Sequence, residues 1–271
     1  MAKKEISIII PVHNGEKQLP VCLEKTISYC NNNFDDYEII IAEDGSSDNS
    51  VLIINEFITK NDKVKILSFK ERQGKGGALI NAIPTAKKEY IGFMDVDLAA
   101  NPSEFNKFLL NIDDYDIIIG SRILRGDLPP IQRPFYRTFF SYAYSKLFRV
   151  LFRIPIYDPQ CGMKLFRKEI ASKLFSEIET TAFAFDSELL VKACLLNLRI
   201  KETPINWKHD SASQVSVIRQ VHEMSQDLLS IWYEAHLLWE KNKKVYPQKR
   251  GTLLGKVLFK FLSVYKKPRK K

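Results

Sequence analysis

The chain has 271 residues, 45% apolar and 27% charged, the composition of a folded protein with one large core. No run reaches the roughly 18 uncharged apolar residues that a spanning helix needs, and Met1–Glu5 enters a strand-like segment directly, so neither a membrane helix nor a signal peptide is expected. The net charge of +9 is local: Pro247–Lys271 holds nine Lys and Arg and no acid, and without them the basic and acidic counts are equal, which argues against a protein that coats nucleic acid.

In chain order, Ile6–Pro11 is a β-branched run that predicts a first strand, and Gln18–Cys30 carries apolar residues at helical spacing. Tyr37–Ala42 predicts a second strand, Asp48 a helix cap for a helix through Phe57, and Val64–Phe69 a third strand. A Gly-rich turn at Arg72–Gly77 precedes a helix expected from Ala78 to about Pro84. Tyr90–Met94 predicts a fourth strand, Pro102 a helix start, and Asp116–Gly120 a fifth strand. Strands alternating with helices predict a mostly parallel sheet with right-handed crossovers. Beyond it come a long helix over Pro134–Ile154, an irregular turn at Tyr157–Met163, a helix near Phe185–Leu198, a strand near Ile200–Trp207 and a helix over Val221–Lys243. The four cysteines (Cys22, Cys30, Cys161 and Cys194) have no metal-finger or CxxC spacing, and are expected to be reduced core thiols.

The chemistry concentrates where strands end. Asp95 and Asp97 close the fourth strand with one residue between them, so strand alternation points them the same way. At the carboxyl edge of a parallel sheet, such a pair can share a divalent cation and a diphosphate. Asp44 ends the second strand and opens a turn, where its carboxylate can accept hydrogen bonds from a nucleobase or ribose, or simply belong to a strand–helix turn. The glycines of Arg72–Gly77 free backbone N–H groups and Lys75 can meet a phosphate, although the spacing is neither that of a Walker A loop nor GxGxxG after a first strand.

The stretches Ile8-Ile-Ile-Pro-Val-His-Asn14, Glu43-Asp-Gly-Ser-Ser-Asp48, Gly74-Lys-Gly-Gly-Ala78, Asp95-Val-Asp97, Gly120-Ser-Arg122, Asp158-Pro-Gln-Cys-Gly-Met-Lys-Leu-Phe166 and Phe185-Asp-Ser-Glu188 together resemble the family 2 glycosyltransferases of GT-A fold. Within them the chain is similar to the dolichyl-phosphate glucosyltransferase and dolichyl-phosphate mannose synthase branch, over roughly residues 5–240. The Gln160-Cys-Gly stretch is the most specific mark. The resemblance implies an α/β GT-A domain over 1–246, with 247–271 as an appended tail. It implies that Pro11, Asn14, Glu16, Asp44, Lys75 and Asp95 surround a nucleotide sugar, UDP-glucose first, and that Asp97 with Asp95 holds Mg²⁺ or Mn²⁺. Arg122, Arg133 and Arg137 would meet the acceptor phosphate, Gln160 the sugar or diphosphate, and Asp186 the acceptor side. The first loop departs from the family's Pro-x-Tyr-Asn-Glu, with His13-Asn-Gly15 and the acid moved to Glu16. Pro159 stands where Thr is common.

The expected activity is inverting transfer of a sugar to a polyprenyl (dolichyl) phosphate. A phosphate whose second pKa is about 6 is already anionic near neutrality and needs no strong general base. A saccharide acceptor on the same fold is the alternative, in which Asp186 would act as base, and a non-catalytic nucleotide-binding adaptor is a remote one. Leu254, Val257, Leu258, Phe261 and Tyr265 share one helical face in the tail, followed by the basic Lys266–Lys271. This predicts peripheral association with an anionic membrane surface on the cytoplasmic side. Arg133–Arg153, with eight aromatics, five basic residues and no acid, is a second candidate contact.

Overall fold

The computed structural model describes residues 4–124, 135–181, 184–208 and 226–237. Seven strands form one sheet in the order β3-β2-β1-β4-β6-β5-β7. These are β1 (Ile6–Val12), β2 (Tyr37–Asp44), β3 (Val64–Phe69), β4 (Tyr90–Phe93), β5 (Ile117–Ser121), β6 (Lys164–Arg167) and β7 (Ile200–Pro204). β1 pairs in parallel with β2 and β4, β2 with β3, and β5 with β7. β6 runs antiparallel to both β4 and β5.

The central strands are apolar runs because both sheet faces are covered. Ile9, Ile40, Phe93, Ile119 and Phe166 face one core with Ala78 and Leu79 of α3 (Gly74–Ala82), Leu174 of α6 (Lys168–Phe175) and Phe185 and Leu189 of α7 (Phe185–Leu195). Ile8, Ile10, Ile39, Ile41 and Leu165 face the other, with Leu19 and Leu23 of α1 (Leu19–Asn33), Ile54 of α2 (Ser50–Lys60) and Phe105 and Phe108 of α4 (Phe105–Leu109). The long helix α5 (Phe135–Phe152) joins the first core through Phe148 and Phe152, and a helix over 226–237 through Leu228 and Trp232.

The differences from the sequence expectation have local causes. α3 starts at Gly74, four residues before the expected Ala78, because the Asp44 carboxylate accepts the Gln73 and Gly74 N–H groups at 2.5 and 3.0 Å and supplies a cap from another strand. Pro102 opens a 3₁₀ turn, Pro102–Glu104, that runs straight into α4, with the Asn101 side chain accepting from the Ser103 N–H. The sequence expectation includes neither strand β6 nor helix α6, although Ala171, Leu174 and Phe175 of α6 stand at helical spacing. β6 is four residues long and begins with a lysine, so it does not look like a buried strand. The strand expected to reach Trp207 stops at Pro204. Of the helix expected over Val221–Lys243, 226–237 is described and helical. The tail face at Leu254–Tyr265 lies outside the described residues.

Because the parallel strands share one direction, the segments after β1, β2, β3, β4, β5 and β7 gather at a single sheet edge. The antiparallel β6 places its first residue there too, with Lys164 opposite Phe93. Gly92 lets the Phe105 ring lie against β4: a Cβ there would stand 2.7 Å from a ring carbon of a fully buried side chain. Gly92→Ala is therefore expected to lower stability by about 1–3 kcal/mol, read from denaturant midpoints. An unchanged midpoint would show that the contact is not tight.

Candidate active site

β4 stops at Phe93, so Asp95 and Asp97 stand in the following loop, and their placement comes from that loop rather than from strand alternation. Asp95 is pinned from two sides. Its Oδ1 lies 2.6 Å from the Lys75 ammonium, and its carboxylate rests on the backbone of Gly162, where a Cβ would stand 1.8 Å from Oδ2. This contact explains the glycine of the Gln160-Cys-Gly stretch. Asp97 is exposed, and its Oδ1 accepts the Ala99 N–H at 2.9 Å, closing a tight turn through Leu98 at φ 55°.

Behind the pair lies a second one. Lys164 is fully buried, and donates from Nζ to Asp186 Oδ1 at 2.5 Å and to the Cys161 carbonyl at 2.7 Å. Sequence reasoning missed its role, although Lys164 stands inside the most specific stretch of the chain. A lysine without exposure, between two strands, needs an acid partner. Burial opposes the charge of Lys75, but Asp95, Asp186 and Asp97 override it and hold the ammonium above the usual lysine range. Burial pushes the Cys161 thiol up to about 12, so this residue serves through its carbonyl.

The Gly-rich segment does not form the expected phosphate cradle. Gly76 and Gly77 donate their N–H groups to the Thr181 carbonyl at 2.9 and 3.3 Å, and the Gly74 N–H is taken by Asp44. Gly74, at φ +79°, and Gly76 instead allow close approach: a Cβ on either would stand under 3 Å from Thr181, Thr180 or Phe185 atoms. The 179–181 segment is itself held by the buried Glu188, which accepts the Glu179 and Thr180 N–H groups at 3.1 and 2.7 Å.

At the first loops the expected nucleotide residues are knitted together. Asn14, in the left-handed region that Asn tolerates, accepts the Ser47 N–H at 2.8 Å and donates its own N–H to Ser46. His13 donates from Nδ1 to the Asp44 carbonyl at 2.8 Å. Glu16 Oε2 accepts from Asn49 N–H and Nδ2 at 3.2 and 3.0 Å, so the displaced acid braces the neighbouring turn. Pro11 stands next to Ala42 in the β1–β2 register. Asp44 is nearly fully buried, and both of its oxygens are engaged at the start of α3.

Arg122 grips Asp158 in a fork, with Nε and Nη2 each at 2.7 Å from a carboxylate oxygen and the backbone N–H also at 2.7 Å. Its guanidinium lies 5.7 Å from the Trp207 ring. Burial resists the Asp158 charge, but Arg122, with Lys164 behind it, holds the carboxyl below its ordinary 3.8. Glu202 accepts the Tyr157 and Asp158 N–H groups at 2.8 and 2.7 Å, which fixes the turn carrying Gln160. Arg133 and the Arg137 side chain lie outside the described residues.

Among the described residues no group of three or more His, Cys, Asp and Glu is placed to hold a metal ion. The edge offers a carboxylate pair, Asp95 and the exposed Asp97. A hard cation that keeps water ligands and takes substrate phosphate oxygens binds through one or two carboxylates, so this donor set fits Mg²⁺ or Mn²⁺ held jointly with a diphosphate.

Four likenesses bear on this site. Residues 7–175 match the family model "Glycosyl transferase family 2". The chain is 31% identical over 242 residues to the dolichyl-phosphate beta-glucosyltransferase of Homo sapiens, covering 84% of this chain and 75% of that protein. It is 30% identical over 250 residues to the dolichyl-phosphate beta-glucosyltransferase of Dictyostelium discoideum, covering 87% and 76%. Among solved structures, glucosyl-3-phosphoglycerate synthase from Mycobacterium tuberculosis, in complex with Mn²⁺, UDP and glucosyl-3-phosphoglycerate, superposes with a TM-score of 0.63. It is 15% identical and covers 86% of this chain and 80% of that one, a likeness of fold.

Asp158→Asn leaves the buried Arg122 fork without its counter-charge and is expected to cost about 3–5 kcal/mol near neutral pH. The native carboxyl is held low, so its contribution is full above pH 3.8 and fades as pH falls through the lower folded-state value. Urea midpoints across acid pH should show the gap between native and variant narrowing below 3.8. A gap that stays constant into strong acid would contradict the pairing.

Proposed function

Since the chain belongs to glycosyl transferase family 2, we propose that it transfers glucose from UDP-glucose to a polyprenyl (dolichyl) phosphate, with inversion at the anomeric carbon. The observation that carries the choice of acceptor is the pairing of Asp186. This residue, which the resemblance puts on the acceptor side, is buried and ion-paired with Lys164 at 2.5 Å. That carboxylate is buried and already committed to an ammonium, so it is not open to take a proton from an acceptor. An acceptor hydroxyl would need a base in its place, whereas a lipid phosphate arrives already ionised. The likeness to dolichyl-phosphate beta-glucosyltransferases over most of both chains supports the same acceptor.

In this account Asp97 and Asp95 hold Mg²⁺ or Mn²⁺, which when bound supplies charge stabilisation for the departing diphosphate. Lys75 and the backbone of Gly162 keep Asp95 in place for that task. Pro11, Asn14, Glu16 and Asp44 form the wall of the nucleoside pocket: Asn14 and Glu16 brace its turn, and Asp44 sets the height of α3 and so of Lys75. Arg122, already oriented by Asp158, turns its remaining N–H groups to the acceptor phosphate together with Arg133 and Arg137. Gln160 stands beside the sugar on the turn that Glu202 fixes. Residues 1–246 are the catalytic domain, and the basic tail at 247–271 holds it peripherally at an anionic membrane on the cytoplasmic side.

The test incubates purified protein with dolichyl phosphate, Mg²⁺ or Mn²⁺, and a panel of UDP- and GDP-sugars. Lipid-linked glucose in β linkage is the expected product, and Asp97→Ala is expected to reduce its formation by about 10²–10³-fold. Transfer to an oligosaccharide with none to lipid phosphate would overturn the acceptor assignment. Full activity in Asp97→Ala would overturn the site.

A further inference from the structure

We propose that Lys164 is a positioning residue for the cation site, acting through the backbone on which Asp95 rests; this rests on the reading above that Asp95 and Asp97 hold the cation. Lys164 has no exposed surface and lies among Phe93, Leu165 and Phe166, which are also fully buried. The fold alone does not call for a lysine there. Replacing a buried ion pair by apolar side chains of similar volume is often neutral or stabilising, and a methionine would fill much the same space. What a methionine could not do is hold a carbonyl.

The Lys164 ammonium makes two bonds with separate consequences. One goes three residues back, to the Cys161 carbonyl at 2.7 Å, and closes the turn over 161–164. The other, to Asp186 Oδ1 at 2.5 Å, ties that turn to α7. Inside the turn stands Gly162, against which the Asp95 carboxylate lies so closely that a Cβ would be 1.8 Å from Oδ2. The carbonyl that Lys164 holds belongs to the peptide unit leading into Gly162. Its release would free that peptide to rotate and would move the surface beneath Asp95. The opposite support, Lys75 at 2.6 Å from Oδ1, is a partly exposed side chain on a flexible stem, so a fixed distance requires the Gly162 side to be rigid. Lys164 also braces the second approach to Asp95. It is the register partner of Phe93, two residues before Asp95, and its ammonium lies 5.3 Å from that ring.

The experiment separates this role from a merely structural one. Calorimetric titration of UDP, with and without Mn²⁺, is run on the full-length chain and on three variants, at a temperature where circular dichroism shows each to be folded. Lys164→Met leaves Asp186 buried without its counter-charge, so its melting temperature falls, and its Mn²⁺-dependent UDP affinity is expected to drop about tenfold. Lys164→Met/Asp186→Asn carries no unpaired charge, and is expected to recover most of the melting temperature but not the affinity, because the Cys161 carbonyl is still unheld. Asp186→Asn alone keeps the ammonium on that carbonyl, and should bind UDP with Mn²⁺ more tightly than the double variant. Native affinity in the double variant would overturn the proposal, since Lys164 would then serve the fold alone. So would an Asp186→Asn chain as weak as the double variant, which would assign the effect to the Asp186 charge. A native chain whose UDP affinity is indifferent to Mn²⁺ would defeat the cation reading itself, and the positioning role with it.

Discussion

Three cations are drawn into one edge of the sheet, Lys164 fully buried and Lys75 and Arg122 partly so, and each is matched to its own carboxylate: Lys75 to Asp95, Lys164 to Asp186 and Arg122 to Asp158. Desolvating a charge costs more than any single hydrogen bond returns, so a buried cation is tolerable only where an acid and further hydrogen bonds meet it. That requirement dictates where the loops of this edge lie. Lys75 and Lys164 also lie 6.0 and 5.3 Å from the Phe93 ring, whose face offers a favourable surface to a cation.

The pairs close into a circuit. Glu188 of α7 holds the 179–181 segment, and the Thr181 carbonyl holds the first turn of α3. That turn presents Lys75, which fixes Asp95 against Gly162. Lys164 takes the carbonyl of the adjoining Cys161 and ends on Asp186, one turn's reach from Glu188 on the same helix. A site that must hold a cation and a leaving diphosphate in fixed register gains from such closure, because preorganised charge needs no rearrangement as the bond breaks.

Much of this was legible in the chain and some was not, for physical reasons. β-branched runs revealed β1 to β5 and β7, and the acid-ending strands revealed the edge where the site lies. Periodicity could not reveal β6: four residues cannot show a period, and Lys164 disguises their burial until Asp186, 22 residues away, neutralises it. The Gly74–Gly77 segment suggested a phosphate loop because glycine signals free backbone N–H groups. Whether those groups face a ligand or a neighbouring carbonyl depends on Thr181, more than a hundred residues later. The same distance problem hid the partners of Arg122. Its partner Asp158 lies 36 residues beyond it, and Glu202, which holds the Asp158 N–H, a further 44. The motifs named residues that gather at this edge; only the tertiary pairing shows which of them brace one another.

In the proposed mechanism Asp97, with Asp95 fixed behind it, holds the cation jointly with a diphosphate. Electron paramagnetic resonance of Mn²⁺ titrated into the full-length chain, with and without UDP, tests it most directly. UDP should tighten Mn²⁺ binding at least about tenfold, since substrate phosphates complete the ligand set, and Asp97→Asn should abolish that tightening while leaving the fold intact. Tightening that persists unchanged in Asp97→Asn would place the cation elsewhere and contradict the account.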